Sequence, residues 1–425
     1  MRLKRRTFVL STVGLSAGLG AGSARAASEG GRFWRCWWFE MGAEHGNPGF
    51  NSRFRVNSPE TSLHPEFGSR SEARSSGMLQ IFMPEDPRQL DAVELYLELW
   101  GGHPGTANRR LSVNGRSHHA IPENGVAAGH CTHQYPTIRL RREDVVNGYN
   151  AIQFACDQGT TFWGHFIVDN ACLRAGLPAK HPDLAKLDLA RFQAAVRVAP
   201  GPGETLTLEL ESNQPDRIAR ADFRGFYEGY DENGDGVTHD WHGFTKHRRP
   251  EAWLGSVSSA PYRIQWDTSM TPDAAAGVRA QITFRDAPGL IYETAPLTGI
   301  SLPPKGTSRV TCITSASLPV PFWSRAGKPR SAKIELPVDP RSIQRAQLHV
   351  VTWDGGRGTV EHPFRLNGQP FEVCGKGAHD VIYSVKEVPV KLLERSNIVE
   401  LLSDTDHHGI EILLPGPALM IRTVG

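Results

Sequence analysis

Residues 79–115, LQIFMPEDPRQLDAVELYLELWGGHPGTANRRLSVNG, align without a gap onto residues 332–368, AKIELPVDPRSIQRAQLHVVTWDGGRGTVEHPFRLNG. Roughly a third of the positions are identical, as expected for an internal repeat. They include Ile81/Ile334, Pro84/Pro337, the Asp-Pro-Arg beginning at Asp86/Asp339, Trp100/Trp353, Gly105/Gly358 and Asn114-Gly115/Asn367-Gly368. The match resumes where Asn150 to Asp157 pairs with Asn397 to Asp404. Within the first segment Val93, Leu95, Leu97 and Leu99 alternate with Glu94, Tyr96 and Glu98. Period-two alternation predicts a half-buried antiparallel strand with its polar face outward. Asn-Gly predicts a tight hairpin turn, because both residues tolerate positive φ. Two copies of one β-domain therefore bracket a different middle.

Composition agrees. The 43 Gly and 30 Pro fall between short β-type runs, and no helical periodicity is sustained. The predicted class is all-β: two repeated jelly-roll β-sandwiches, 33–178 and 305–425, flanking a middle β-sandwich over 192–302, which is read as immunoglobulin-like from the resemblance of residues 261–268 given below. Residues 178–191 read as a linker with one helical turn. A formal net charge of +2 leaves no electrostatic footprint for nucleic acid or an acidic membrane.

The amino terminus reads as an export signal. Lys4-Arg5-Arg6-Thr7-Phe8-Val9-Leu10 resembles the twin-arginine consensus, and Ala24-Arg25-Ala26 fits a small-x-small cleavage site after residue 26. A periplasmic or extracellular location follows as an expectation, with no integral membrane segment in the mature chain. The six cysteines show no C-x-x-C spacing, and buried thiols are expected rather than bridges.

Pro261-Tyr262-Arg263-Ile264-Gln265-Trp266-Asp267-Thr268 resembles the PYxxxWDT strand of bacterial immunoglobulin-like modules, interrupted here by a long insertion from Glu228 to Gly255. Asn150-x-Ile-x-Phe, a turn at Gly159 and the run from His165 to Leu173 look like the closing hairpin of carbohydrate-binding-module-like jelly rolls. These resemblances imply an exported carbohydrate-interacting protein whose partner is a polysaccharide or oligosaccharide. A polysaccharide lyase or glycoside hydrolase with a His-rich site in the first copy is the alternative. A metal-dependent oxidoreductase on the same scaffold is the third reading.

Candidate chemistry gathers in three places. The first copy holds the densest histidines: His130, His133 and His165, with Tyr135, are the candidate catalytic groups, since a lyase needs a His or Tyr base and a hydrolase an acid/base pair. Trp163, His103 and Arg109, together with His407 and His408 in the equivalent loop of the second copy, and Trp241, form an expected ligand rim. Asp231-Glu232-Asn233-Gly234-Asp235-Gly236 places oxygen ligands at alternate positions before a turn glycine. With Asp240 as a later ligand, Asp231, Asn233 and Asp235 are a candidate calcium set, although the twelfth position is His242 instead of Glu. No other cofactor is expected.

Overall fold

The computed structural model describes residues 30–39, 54–56, 78–102, 106–126, 128–157, 165–242, 254–373, 377, 380–406 and 408–425. The expected export signal lies outside these residues. The chain is all-β, and the α-helix among the described residues is the short Pro182–Lys186, inside the expected linker.

Two of the sandwiches share one succession of elements. In the first, Met78–Met83, Gly148–Asp157, Ala107–Val113 and Ser117–Ala120 form one sheet, which faces Arg32–Phe39, Phe166–Leu177 and Ala92–Trp100. In the carboxy-terminal unit, Arg330–Glu335, Ser396–Leu401, Phe364–Leu366 and Gln369–Pro370 face Ser308–Thr314, Ala418–Val424 and Ile343–Asp354. Each pair of sheets encloses its own apolar core. Leu95, Leu97, Phe154 and Leu173 lie in the first, and Leu348, Val350, Leu401 and Leu419 in the other. Each such side chain contributes about 1.5–3 kcal/mol on burial.

The identical residues explain the shared path. Asp86 and Asp339 each cap a 3₁₀ turn, accepting from the N–H of Arg88 at 3.0 Å and of Arg341 at 2.9 Å. Asn114 and Asn367 take φ of 50° and 49°, as the Asn-Gly turn requires. Asn114 Nδ2 donates to Asn150 Oδ1 at 2.9 Å, and Asn367 Nδ2 donates to Asn397 Oδ1 at the same distance. Both receiving asparagines are fully buried, so these amides hold the hairpin onto the strand beside it.

The middle unit packs Ala194–Pro200, Thr205–Ser212 and Arg263–Asp267 against Ile218–Glu228, Ala276–Phe284 and Leu290–Glu293. The Tyr-Trp-Asp-Thr residues supply structure. Trp266 is buried, Tyr262 Oη donates to the Ile218 carbonyl at 2.8 Å, and Thr268 Oγ1 donates to the Glu204 carbonyl at 2.6 Å.

The boundary between first and middle units is not a boundary in hydrogen bonding. Arg32–Phe39 pairs with Phe166–Leu177 on one side and with Leu290–Glu293 on the other, so one 12-stranded sheet runs through both units. This sheet corrects the expectation for Ala92–Trp100. The alternation is present, with Val93, Leu95, Leu97 and Leu99 in the core. The opposite face is buried too, Tyr96 at 4% and Glu98 at 2% exposure. Glu98 is accommodated by hydrogen bonds, 3.0 Å from Tyr96 Oη and 2.6 Å from Asn170 Nδ2.

The carboxy-terminal unit docks on the other two through a small mixed core of Trp100, Cys131, Ile167, Tyr230, Val351, Trp353 and Leu413. Polar contacts set its register. Trp100 Nε1 donates to Glu411 at 3.2 Å, the Leu414 N–H to the Cys131 carbonyl at 2.9 Å, and Tyr230 Oη to the Gly416 carbonyl at 2.5 Å. Gly234 sits at φ +64°, and a Cβ there would fall 2.7 Å from the Leu414 carbonyl oxygen. Only glycine fits that approach.

Candidate functional site

Where the middle and carboxy-terminal units meet, they leave a cavity of about 320 Å³. Its walls come from the end of Ile218–Glu228, from His239–His242, from residues 266–272, and from the outward side of the sheet holding Ile343–Asp354 and Asp380–Val388. Alternation decides which side chains line it. Leu348 and Val350 point into their own core, so Gln347 and His349 point out.

Rings dominate the walls. Tyr230 stacks on Tyr383 with centroids 5.5 Å apart and 27° between planes, and lies 5.8 Å from the His349 ring. Tyr227 contacts His242 at 4.2 Å and Trp266 at 5.2 Å. Polar groups are set between the rings. His349 Nδ1 and Tyr383 Oη are 2.5 Å apart, and His349 Nε2 is 3.4 Å from Gln347 Oε1. Arg345 is bound to Glu387 and donates to Ser269 Oγ at 2.9 Å, and Gln347 Nε2 donates to the same Glu387 at 2.6 Å. Glu228 and Asp267 lie at the exposed margin.

Burial sets the protonation states. It pushes His349 down to about 4, helped by the nearby His242 and opposed by Glu387. Burial likewise takes His242 to about 4, against the Tyr227 carbonyl that its Nε2 meets at 3.1 Å. Burial first, then Glu232 and the neighbouring phenols, raises Tyr383 well above the ordinary phenol range. At neutral pH the cavity therefore offers neutral imidazoles and a protonated phenol.

The sequence-predicted residues fall elsewhere. His133 and His165 flank Trp100: His133 is its partner across the strand pair, and the His165 ring lies 5.5 Å away. His133 also meets Asp169 at 3.4 Å and Tyr135 at 5.0 Å between ring centroids. His130 is half-buried, and burial lowers its pKa. Arg109 is a correction. It is 1% exposed and lies 5.8 Å from the Phe166 ring. Its guanidinium donates to Gln134 at 2.8 Å, to the Gly101 carbonyl at 3.3 Å and to the Pro122 carbonyl, so it braces the core instead of a ligand rim. Trp241 is half-buried, and His408 is exposed with its ring 5.9 Å from Trp353. His103, Trp163 and His407 lie outside the described residues.

The Asp-rich loop is closed by its own backbone. Asp231 accepts from Gly236 N–H at 2.8 Å and from Asp235 N–H at 3.2 Å. Asn233 accepts from Asp235 N–H at 3.2 Å, Asp235 from Val237 N–H at 2.7 Å, and Asp240 from Trp241 N–H at 2.6 Å. Burial raises Asp231 to about 6. Among the described residues no three His, Cys, Asp or Glu side chains converge as a metal centre would need.

Sequence reasoning missed the cavity. Gln347-Leu348-His349-Val350 reads as an ordinary alternating strand. The available signal was the alignment itself, which sets His349 opposite Tyr96, so both segments place a ring at that register.

No protein-family profile and no curated protein matches the chain. Solved structures give distant likenesses. BuGH86 in complex with neoagarooctaose is 10% identical, over 54% of this chain and 33% of that one, with a TM-score of 0.24. BpGH86A, a β-porphyranase of glycoside hydrolase family 86 from the human gut bacterium Bacteroides plebeius, is 14% identical over 54% and 36%, with a TM-score of 0.23. SGBP-B from a xyloglucan utilization locus in Bacteroides uniformis is 11% identical over 88% and 98%, with a TM-score of 0.18. The chain thus spans about a third of the length of the first two, and likeness at this level assigns it no family and no activity.

Proposed function

We propose that this chain is an exported polysaccharide-binding protein and that the cavity between its middle and carboxy-terminal units holds a sugar residue. The ring-lined wall carries the reading. Tyr230, Tyr383, Tyr227 and Trp266 surround a space of about 320 Å³, with Gln347, His349, Asp267 and Glu228 beside them. Sugar C–H faces pack on aromatic faces, and sugar hydroxyls need the donors and acceptors set between them. That size is at the small end of ligand pockets, suited to one or two sugar units of a longer chain.

Calorimetry against a panel of neutral oligosaccharides tests this. At least one should bind wild type, and Tyr383→Phe, which removes a single hydroxyl, should weaken it by about fivefold. Gln347→Ala should do the same. No retained glycan, or affinities untouched by both variants, overturns the proposal.

A catalytic reading is favoured by one observation, the 2.5 Å contact between neutral His349 and protonated Tyr383, which supplies a base and an acid in one place. New reducing or unsaturated ends released from a bound glycan, and lost in His349→Ala, would support it. Unchanged glycan after prolonged incubation would remove it. Export through a twin-arginine signal is proposed from Arg5-Arg6, and retention of an Arg5→Lys/Arg6→Lys double variant inside the cell tests it. Calcium in the 231–236 loop is proposed on ligand spacing alone. A rise in Tm with millimolar calcium supports it, and an unmoved Tm removes it.

A further inference from the structure

The strands that carry the cavity's rings carry arginines on their other side. Tyr227 and His242 belong to the cavity wall, whereas Arg224 and Trp241 lie on the outward face of the 12-stranded sheet. There Arg224 stands directly opposite Arg279 across the strand pair. Like charges facing each other across a sheet are unfavourable, and burial makes them more so. Arg224 is 8% exposed.

The neighbouring carboxylate is already taken. Glu293 accepts from Arg174 at 2.7 Å, and Arg174 also holds Glu94 at 3.0 Å. Arg279 approaches Glu293 only to 3.9 Å, beyond hydrogen-bonding reach. Arg279 is the better placed for a ligand. Its side chain is 23% exposed, its guanidinium lies 4.3 Å from the Trp241 ring centroid, and its buried Nε meets no acceptor. Stacking on an indole fixes a guanidinium plane while leaving its edge donors free. On the same face Arg174 lies 4.4 Å from the Trp34 centroid, so two Arg–Trp pairs border the patch.

We propose that Arg279, braced on Trp241 and set against Arg224, binds the oxyanion of a charged sugar, a carboxylate or a sulfate ester, on the face opposite the cavity. A planar fork matches either group in bidentate fashion. The site adds a second class of sugar contact to the protein. It stands independently of whether the cavity binds a neutral unit.

Calorimetry on the full mature chain tests it with four probes: tetragalacturonate, a chondroitin sulfate tetrasaccharide, cellotetraose and sodium sulfate. One charged tetrasaccharide should bind at least tenfold tighter than cellotetraose, with affinity falling as salt rises. Arg279→Gln should remove at least tenfold of that affinity, and Arg279→Lys should recover part of it. Both variants should fold, because they relieve or keep the facing charge, and circular dichroism checks this. Tyr383→Phe touches only the cavity and should leave charged-sugar binding unchanged. The proposal is overturned if neither charged probe outbinds cellotetraose, or if Arg279→Gln binds as wild type does. Sulfate binding as tightly as either tetrasaccharide overturns the assignment to a sugar, and a loss in Tyr383→Phe without one in Arg279→Gln moves the charged sugar to the cavity.

Discussion

Replacing Glu293 by Gln should be among the costliest single changes in this protein. The carboxylate is 8% exposed and sits within 4 Å of three guanidiniums, Arg174 at 2.7 Å and Arg224 and Arg279 at 3.9 Å. At an effective dielectric of about 20, an attraction across 4 Å is worth about 4 kcal/mol. Three such attractions oppose the cost of desolvating four charged groups, so the net is far smaller than their sum. Removing the acid leaves Arg174 with Glu94 and takes from Arg224 and Arg279 the carboxylate within 4 Å of both, and a loss of about 3–5 kcal/mol is the expected scale for breaking a buried charge cluster in this way. Urea denaturation followed by tryptophan fluorescence measures it, since Trp34 and Trp241 lie beside the network. The double variant Glu293→Gln/Arg279→Gln should recover part of the loss, because one stranded cation has gone. A loss below about 1 kcal/mol, the range of an exposed ion pair, would refute the reasoning. The pH dependence has a definite sign. Burial alone would raise the Glu293 carboxyl, but Arg174, Arg279 and Arg224 together hold it below the usual range. Its stabilisation is therefore complete above the unfolded pKa of about 4.3 and lost as pH falls through the lower folded value.

Three further outcomes follow from the structure. His349 and His242 are held neutral by burial at about 4, below the unfolded value, so stability should fall as pH drops from about 6.5 toward 4; His349→Phe should flatten that limb of a Tm-against-pH curve. Asn150→Ala and Asn397→Ala each strip a buried amide of four hydrogen-bond contacts, so each should cost about 3 kcal/mol in urea, and near-equal losses would match the equivalent roles of the two residues. Gly234→Ala must move the Asp-rich loop off the Leu414 carbonyl, so limited proteolysis should cut the junction faster in the variant, while equal rates would count against the docking role of that loop.

Short-range chemistry was readable from the residues alone. Asn114-Gly115 and Asn367-Gly368 announce their turns, and Val93 to Leu99 the inward face of a strand. Exposure was not readable, because it depends on partners far away in the chain. Glu94 and Glu98 look like solvent-facing residues until Arg174 and Asn170 are placed beside them. The shared sheet was hidden for the same reason. Arg32–Phe39 is a strongly apolar strand on any reading, but nothing local says that Leu290–Glu293 lies along its second edge. The cavity draws on two separate stretches of the chain, Tyr227 to Trp266 and Gln347 to Tyr383, each unremarkable in its own strand. The histidines of the first unit stood out by density, and density does not report convergence: His133 and His165 share Trp100 as a neighbour.

Amide hydrogen exchange with and without a saturating oligosaccharide tests the cavity assignment most directly. The account predicts slowed exchange at residues 227–230, 266–272 and 345–349, with residues 133–135 unchanged. Protection confined to residues 133–135 and their neighbours, with the junction unaffected, would contradict it.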